Sequence, residues 1–129
     1  NTTDCFNNLR EKGYQIIATS PHNNSCLLKN FDISKKTAFV FGEESEGVSD
    51  YVKEQADGFL KIPMVGFTES LNISVAAAII LQEVTTKLRS STINWQLSED
   101  EKNVLYYEWV KKTIKNVHEI EKHYHQKLK

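Results

Sequence analysis

One segment constrains this chain more than any other. It runs Ile62-Pro63-Met64, passes through a loop at Gly66, and continues as Glu69-Ser70-Leu71-Asn72-Ile73-Ser74-Val75-Ala76-Ala77-Ala78. It begins as the end of an apolar strand. Pro63 has no N–H to give to a sheet ladder, so pairing stops there. Ser70, Asn72 and Ser74 then cluster where a helix opens and backbone donors lack partners, which their side chains can supply. Ala76 to Ala78 add little bulk, so another backbone or a ligand can come close. A strand end, a polar loop and a close-packing helix are what open α/β folds place around their ligands.

The flanking sequence alternates strands and helices at short spacing. Asp4 to Lys12 reads as a helix with Phe6 and Leu9 on one side and Gly13 as its stop. Tyr14 to Thr19 is a strand built on Ile16-Ile17-Ala18, and Pro21 to Asn30 is a loop. Thr37 to Phe41 is apolar on both faces, which predicts a fully buried strand. Gly42 to Gly47 is a turn, Ser49 caps a short helix to about Ala56, and Gly58 to Ile62 is a third strand. Asn72 to Arg89 is a long helix. Ser98 with Glu101 fits a capping box that opens a last helix, with a break near Asn116. The pattern predicts a mostly parallel α/β sheet. Three strands are few for such a sheet, which points to a fragment or an obligate dimer.

Two stretches resemble the SpoU/TrmH RNA 2'-O-ribose methyltransferases of the knotted SPOUT superfamily. Ile62-Pro63-Met64 followed by Ser70-Leu71-Asn72-Ile73-Ser74-Val75-Ala76 resembles motif 3. Phe39-Val40-Phe41-Gly42-Glu43-Glu44-Ser45-Glu46-Gly47-Val48-Ser49 resembles motif 2. The match runs from about Asn7 to Arg89. The resemblance implies a C-terminal trefoil knot, which physical rules alone argue against because knots are nearly absent among proteins. It implies residues 1–90 as the C-terminal part of a SPOUT methyltransferase domain and 91–129 as a helical extension. Trp95, Leu97 and Trp109 are similar to the helical tails of bacterial tRNA members.

The resemblance also implies S-adenosyl-L-methionine as cofactor and RNA as acceptor, a tRNA D-loop guanosine first and rRNA second. Gly42, Ile62 and Leu71 would hold the cofactor through main-chain groups, with Thr19 lining the same pocket. Glu44, Ser70 and Asn72 are the implied catalytic positions. Taken alone, Gly42 and Gly47 read as a tight turn, Glu44 as a solvated carboxylate, and Ser70 and Asn72 as helix caps. The family's motif 1 arginine, in an Asn-x-Gly-x-x-x-Arg pattern, is absent, since the only arginines are Arg10 and Arg89. The chain therefore reads as part of an RNA 2'-O-methyltransferase, with a non-catalytic module that dimerises and binds RNA or cofactor as the alternative. A homodimer is expected through the small and apolar face of Ser74, Ala77, Ala78, Ile80 and Leu81, with burial in the monomer core as the alternative for some of these positions.

Charge and composition fit this frame without demanding it. The 129 residues carry a net charge of −1, so bulk charge announces no nucleic-acid partner. Its distribution is uneven: residues 43–57 have a balance of −5, and residues 110–129 one of +4. The basic end reads either as a solvated face or as a phosphate contact through Lys111, Lys112 and Lys115. The longest apolar run, Val75 to Leu81, is far short of a membrane span. Cys5 and Cys26 are too few and too separate for a disulfide scaffold or zinc site, which suits a reducing cytoplasm. His118-Glu119-Ile120-Glu121-Lys122-His123 is one residue too long for a helical His-Glu-x-x-His metal motif, so no metal is expected. Val48 stands where a phosphate-binding loop needs lysine.

Overall fold

The β-branched pair Ile16 and Ile17 sits inside the sheet. The strand that holds them, β1 (Gln15–Thr19), is paired on both sides. In the computed structural model, which describes residues 1–21 and 24–127, β1 lies parallel to β3 (Thr37–Val40) and to β4 (Gly58–Lys61). A two-residue strand, β2 (Cys26–Leu27), adds to the far side of β4, giving the all-parallel order β2-β4-β1-β3. This fourth strand lies in a stretch whose composition predicts a loop. Two residues carry no periodic signal, and only pairing with Leu60 and Lys61 makes them a strand. Asn23, part of the same expected loop, lies outside the described residues.

Side chains alternate across β1 and divide the core in two. Ile16 and Ala18 pack with Phe6, Val48 and Val52 on one face. Ile17 packs with Leu28, Phe31, Leu60 and Ile80 on the other. Two helices cover the first face. In α1 (Thr2–Glu11), Asn1 caps the start and Gly13, at φ +79°, turns the chain out after the end. In α2 (Asp50–Gln55), the Ser49 side chain accepts from the Val52 N–H. The long helix α3 (Ile73–Arg89) covers the second face through Ile80 and Val84. Its Lys87 ammonium donates to the carbonyls of Leu28 and Lys29, closing the short 3-10 turn after β2.

Two expectations need correction here. β3 is an edge strand, half-buried along its length, because no described strand flanks its outer side. Ile80, counted in the dimer face with core burial as the alternative for some of its positions, is buried in the monomer core against Ile17 and Leu60. Its position one residue away from the exposed Ile79 and Leu81 turns it inward.

The chain divides into two compact units, Asn1–Ile93 and Asn94–Lys129. In the second, α4 (Glu99–Thr113) opens with the expected capping box: Ser98 accepts from the Glu101 N–H while Glu101 accepts from the Ser98 N–H. It ends before Asn116, whose φ of +56° turns the chain into α5 (Val117–Lys127). Tyr107 on α4 donates to Glu121 on α5, and the Lys111 ammonium lies 3.2 Å from the same carboxylate. No described helix is long and apolar enough to cross a membrane.

Candidate active site

Parallel strands place their carboxyl ends at one edge of the sheet, and the loops leaving them converge there. Thr19 leaves β1, Phe41 and Gly42 leave β3, and Ile62 leaves β4. Together with residues 69–71 they enclose a cavity of about 420 Å³. The volume lies in the range of small-molecule and cofactor sites, roughly 300–1,000 Å³. Thr19 Oγ1 donates to the Val40 carbonyl at 3.3 Å, and the Ser20 N–H donates to the Leu60 carbonyl at 3.0 Å. The three strand ends are thus fixed relative to one another before any loop begins.

The acidic loop has a geometry of its own. Glu43 and Gly47 exchange two backbone hydrogen bonds of 2.9 Å, closing residues 43–47 into a tight turn, and Gly47 sits at φ +70°. A Cβ on Gly42 would collide with the backbone of Gly47 and Val48. Glycine is therefore needed at 42 for close approach and at 47 for conformation. Asn72 joins this turn to α3. Its Oδ1 accepts from the Ser74 N–H at 2.9 Å, capping the helix, while its Nδ2 donates to Glu44 Oε1 at 3.1 Å. One side chain thus serves both the helix start and the wall of the cavity.

The residues singled out from the sequence are largely brought together. Thr19, Gly42, Glu44, Ile62, Ser70 and Leu71 all line the cavity, and Asn72 touches it through Glu44. Lys111, Lys112 and Lys115 lie in the second unit, at the end of α4 and in the break after it. Lys111 is engaged there: besides Glu121 it lies 3.9 Å from Glu108 and 5.1 Å above the Tyr107 ring. Its hydrogen bond to Glu121 holds the ammonium above its ordinary range. Lys112 and Lys115 are exposed. Arg10 donates to the Gln55 carbonyl and lies 3.6 Å from Asp57, and Arg89 ends α3, so neither arginine lines the cavity.

Sequence reasoning missed several lining residues. Pro21, Lys53, Lys61, Met64 and Glu69 also border the cavity. The signal for Lys61 was its place directly before Ile62-Pro63. For Lys53, on α2, no local signal exists, because only the packing of α2 beside β1 brings it near.

An open parallel sheet with a polar cavity at the carboxyl ends of its strands defines a ligand-binding α/β domain. The chain belongs to the SpoU rRNA Methylase family, whose family model matches residues 1–82. It is 41% identical over 121 residues to a tRNA (guanosine(18)-2'-O)-methyltransferase of Borreliella burgdorferi, covering 94% of this chain and 56% of that protein. It is 44% identical over 80 residues to the protein of the same name from Thermus thermophilus, covering 62% of this chain and 41% of the relative. The chain thus spans about half the length of the curated relatives it matches. Among solved structures it is similar to the A. aeolicus TrmH/SpoU tRNA modifying enzyme, with a TM-score of 0.71 and 34% identity over 89% of this chain and 60% of that one. It is also similar to the SpoU methyltransferase AviRb of Streptomyces viridochromogenes in complex with AdoMet. There the TM-score is 0.61 and the identity 29%, over 70% of this chain and 36% of that one.

Proposed function

We propose that this chain carries the cofactor-binding part of an S-adenosylmethionine-dependent RNA 2'-O-ribose methyltransferase whose acceptor is a tRNA guanosine. The observation that carries the reading is the meeting of Thr19, Gly42, Glu44, Ile62, Ser70 and Leu71 on one cavity. The cavity suits the cofactor in size and chemistry. Phe41, Ile62 and Met64 offer apolar surface for a purine, and Glu43, Glu44 and Glu46 offer negative charge for a sulfonium and an amino group. The cofactor, when bound, supplies an electrophilic methyl group.

The chain's own residues do the rest in this reading. Main-chain groups at Gly42, Ile62 and Leu71 hold the cofactor, and Thr19 lines its pocket. The Asn72 bond keeps Glu44 fixed on the cavity wall, and Ser70 lines the same cavity. Such positioning can supply ~7–11 kcal/mol of a transfer barrier. Lys111, Lys112 and Lys115 are assigned to RNA phosphates, with the exposed Lys112 and Lys115 the better placed. The reading extends to a trefoil knot through residues 62–81, domain limits of 1–90 and 91–129, a cytoplasmic homodimer, and no metal. rRNA is the rival acceptor. A non-catalytic, cofactor-binding module is the second reading, favoured by the position of both arginines away from the cavity.

Calorimetric titration of S-adenosylhomocysteine into the chain, with Asn72→Ala alongside, tests the proposal. Saturable binding of about one ligand per chain, weakened in the variant, is expected. A folded sample without binding rejects it. Labelled-methyl incorporation into tRNA against rRNA separates the acceptors, and binding with no incorporation into either favours the second reading.

A further inference from the structure

Lys61 stands where two cavities meet. It lines the cavity described above, and it also lines a second one of about 430 Å³ walled by Pro21, Pro63, Gly66, Thr68 and Glu69. The two differ in charge. The first is bordered by Glu43, Glu44, Glu46 and Glu69 against Lys53 and Lys61. The second touches none of residues 41–48 and holds one lysine against one glutamate. The lysines differ too. Lys53 is engaged with Asp50 at 2.8 Å, whereas Lys61 forms no ion pair among the described residues. Its backbone is fixed at the end of β4, in register with Leu27 of β2. A half-buried lysine on a fixed stretch of backbone, with no ion pair among the described residues, suits an external anion.

Resting on the functional reading above, we propose that Lys61 grips a phosphodiester of the acceptor RNA in the second cavity, beside the cofactor pocket. The division of charge carries the assignment. Glu43, Glu44 and Glu46 favour the cationic end of the methyl donor and repel a polyanion brought to the same mouth. An RNA strand reaching that mouth needs a cation next to the acidic loop but outside it, and Lys61 is that cation. Gly66, at φ +103°, leaves room for a sugar-phosphate to approach the backbone, since nothing lies within 4 Å of where its Cβ would be. The hydroxyl-bearing Thr68 borders the same space. Lys61 is thus a positioning residue for the acceptor, and the donor is held by other groups.

The test measures tRNA binding to the 129-residue chain by fluorescence anisotropy at several salt concentrations, with S-adenosylhomocysteine binding measured in parallel. Lys61→Gln is expected to weaken tRNA binding about tenfold, as for a lost hydrogen bond to a charged group. The slope of log K against log salt should fall by about 0.7–0.9, one phosphate contact. A native far-ultraviolet circular dichroism spectrum shows the variant to be folded, S-adenosylhomocysteine affinity falls by less than tRNA affinity, and Lys61→Arg restores RNA binding. Equal tRNA affinity and slope for Lys61→Gln overturns the assignment. So does lost S-adenosylhomocysteine binding with RNA binding intact, which would place Lys61 on the cofactor carboxylate. A wild-type chain that binds S-adenosylhomocysteine but no tRNA overturns the Lys61 contact alone, and one that binds neither overturns the functional reading with it.

Discussion

At the scale of single residues, the site depends on two positions with no freedom to change. Gly42 is confined by the backbone of Gly47 and Val48, so Gly42→Ala forces the 43–47 turn away from the sheet. S-adenosylhomocysteine binding should fall at least tenfold in calorimetry while the far-ultraviolet circular dichroism stays native. Retained binding would show that the turn is not a wall of the cofactor pocket. Asn72 separates two roles by substitution. Asn72→Ser keeps a helix-capping oxygen and loses the donor to Glu44; Asn72→Asp keeps the cap and sets a second carboxylate against Glu44. Both should keep the thermal stability of α3 within ~1 kcal/mol. Cofactor-analogue affinity should be weaker in Asp than in Ser, and an equal affinity in all three proteins would show that the Asn72–Glu44 bond does not shape the pocket. The sequence made Gly42, Glu44 and Asn72 visible through the family resemblance of the two motifs that hold them. It did not make visible that Asn72 bonds Glu44, because a contact across 28 residues depends on where two loops come to rest.

At the scale of elements, the start of the sheet is held by one carboxylate. Asp57 Oδ2 accepts the N–H of the buried Ile16 at 2.7 Å, and Asp57 also faces Arg10 of α1. Asp57→Ala leaves a buried donor unpaired, a loss of about 1–3 kcal/mol, and chemical denaturation should show it. The partly exposed Arg10 pair adds little to that figure. Helices and central strands were legible because each carries a cap, a stop or a compact apolar run, as Ser98-x-x-Glu101, Gly13 and Ile16-Ile17 do. β2 and the edge position of β3 were not, because pairing and sheet order are set by tertiary contacts. The α4–α5 hairpin adds a pH dependence. The Tyr107 hydroxyl, then Lys111, hold the Glu121 carboxyl below its ordinary range, while Glu121 raises both Tyr107 and Lys111 above theirs. The Glu121 contribution is complete above the ordinary carboxylate range, about 4.3, and is lost as pH falls through the lowered value. The Tyr107 and Lys111 contributions are complete below about 10 and are lost as pH rises through the raised values. The Glu121 side-chain carboxyl resonance, followed on lowering the pH from 7, should titrate below the ordinary glutamate value, and Tyr107→Phe should raise that midpoint. A midpoint that the substitution leaves in place would assign the shift to another group.

At the scale of the whole molecule, α3 carries more apolar surface than the monomer uses. Ile80 and Val84 face the core, yet Ile73, Val75, Ile79 and Leu81 are 43%, 46%, 37% and 53% exposed on the same helix. Single exposed apolar residues need no explanation, but at 3.6 residues per turn Val75, Ile79 and Leu81, with Ser74 and Ala78, fall on the side of the helix turned away from Ile80, while Ile73 lines the cavity; an apolar side of this kind suits an interface. Ser74, Ala77 and Ala78 between them are small enough to let a second helix approach closely. The proposed homodimer therefore places α3 against α3, and under a two-fold axis each patch meets its own copy. Leu81→Glu tests this without touching the core, since Leu81 is exposed while its neighbour Ile80 is buried. A buried, unpaired carboxylate in a two-fold interface is doubled by the symmetry, so dimer affinity should drop by several orders of magnitude. Sedimentation equilibrium should then report a dimer for the wild-type chain and a monomer for Leu81→Glu, with unchanged circular dichroism. Ala77→Trp, at a half-buried position, should disturb dimer and fold together. A Leu81→Glu protein that remains a dimer would move the interface away from α3 and leave the apolar face of that helix for another partner.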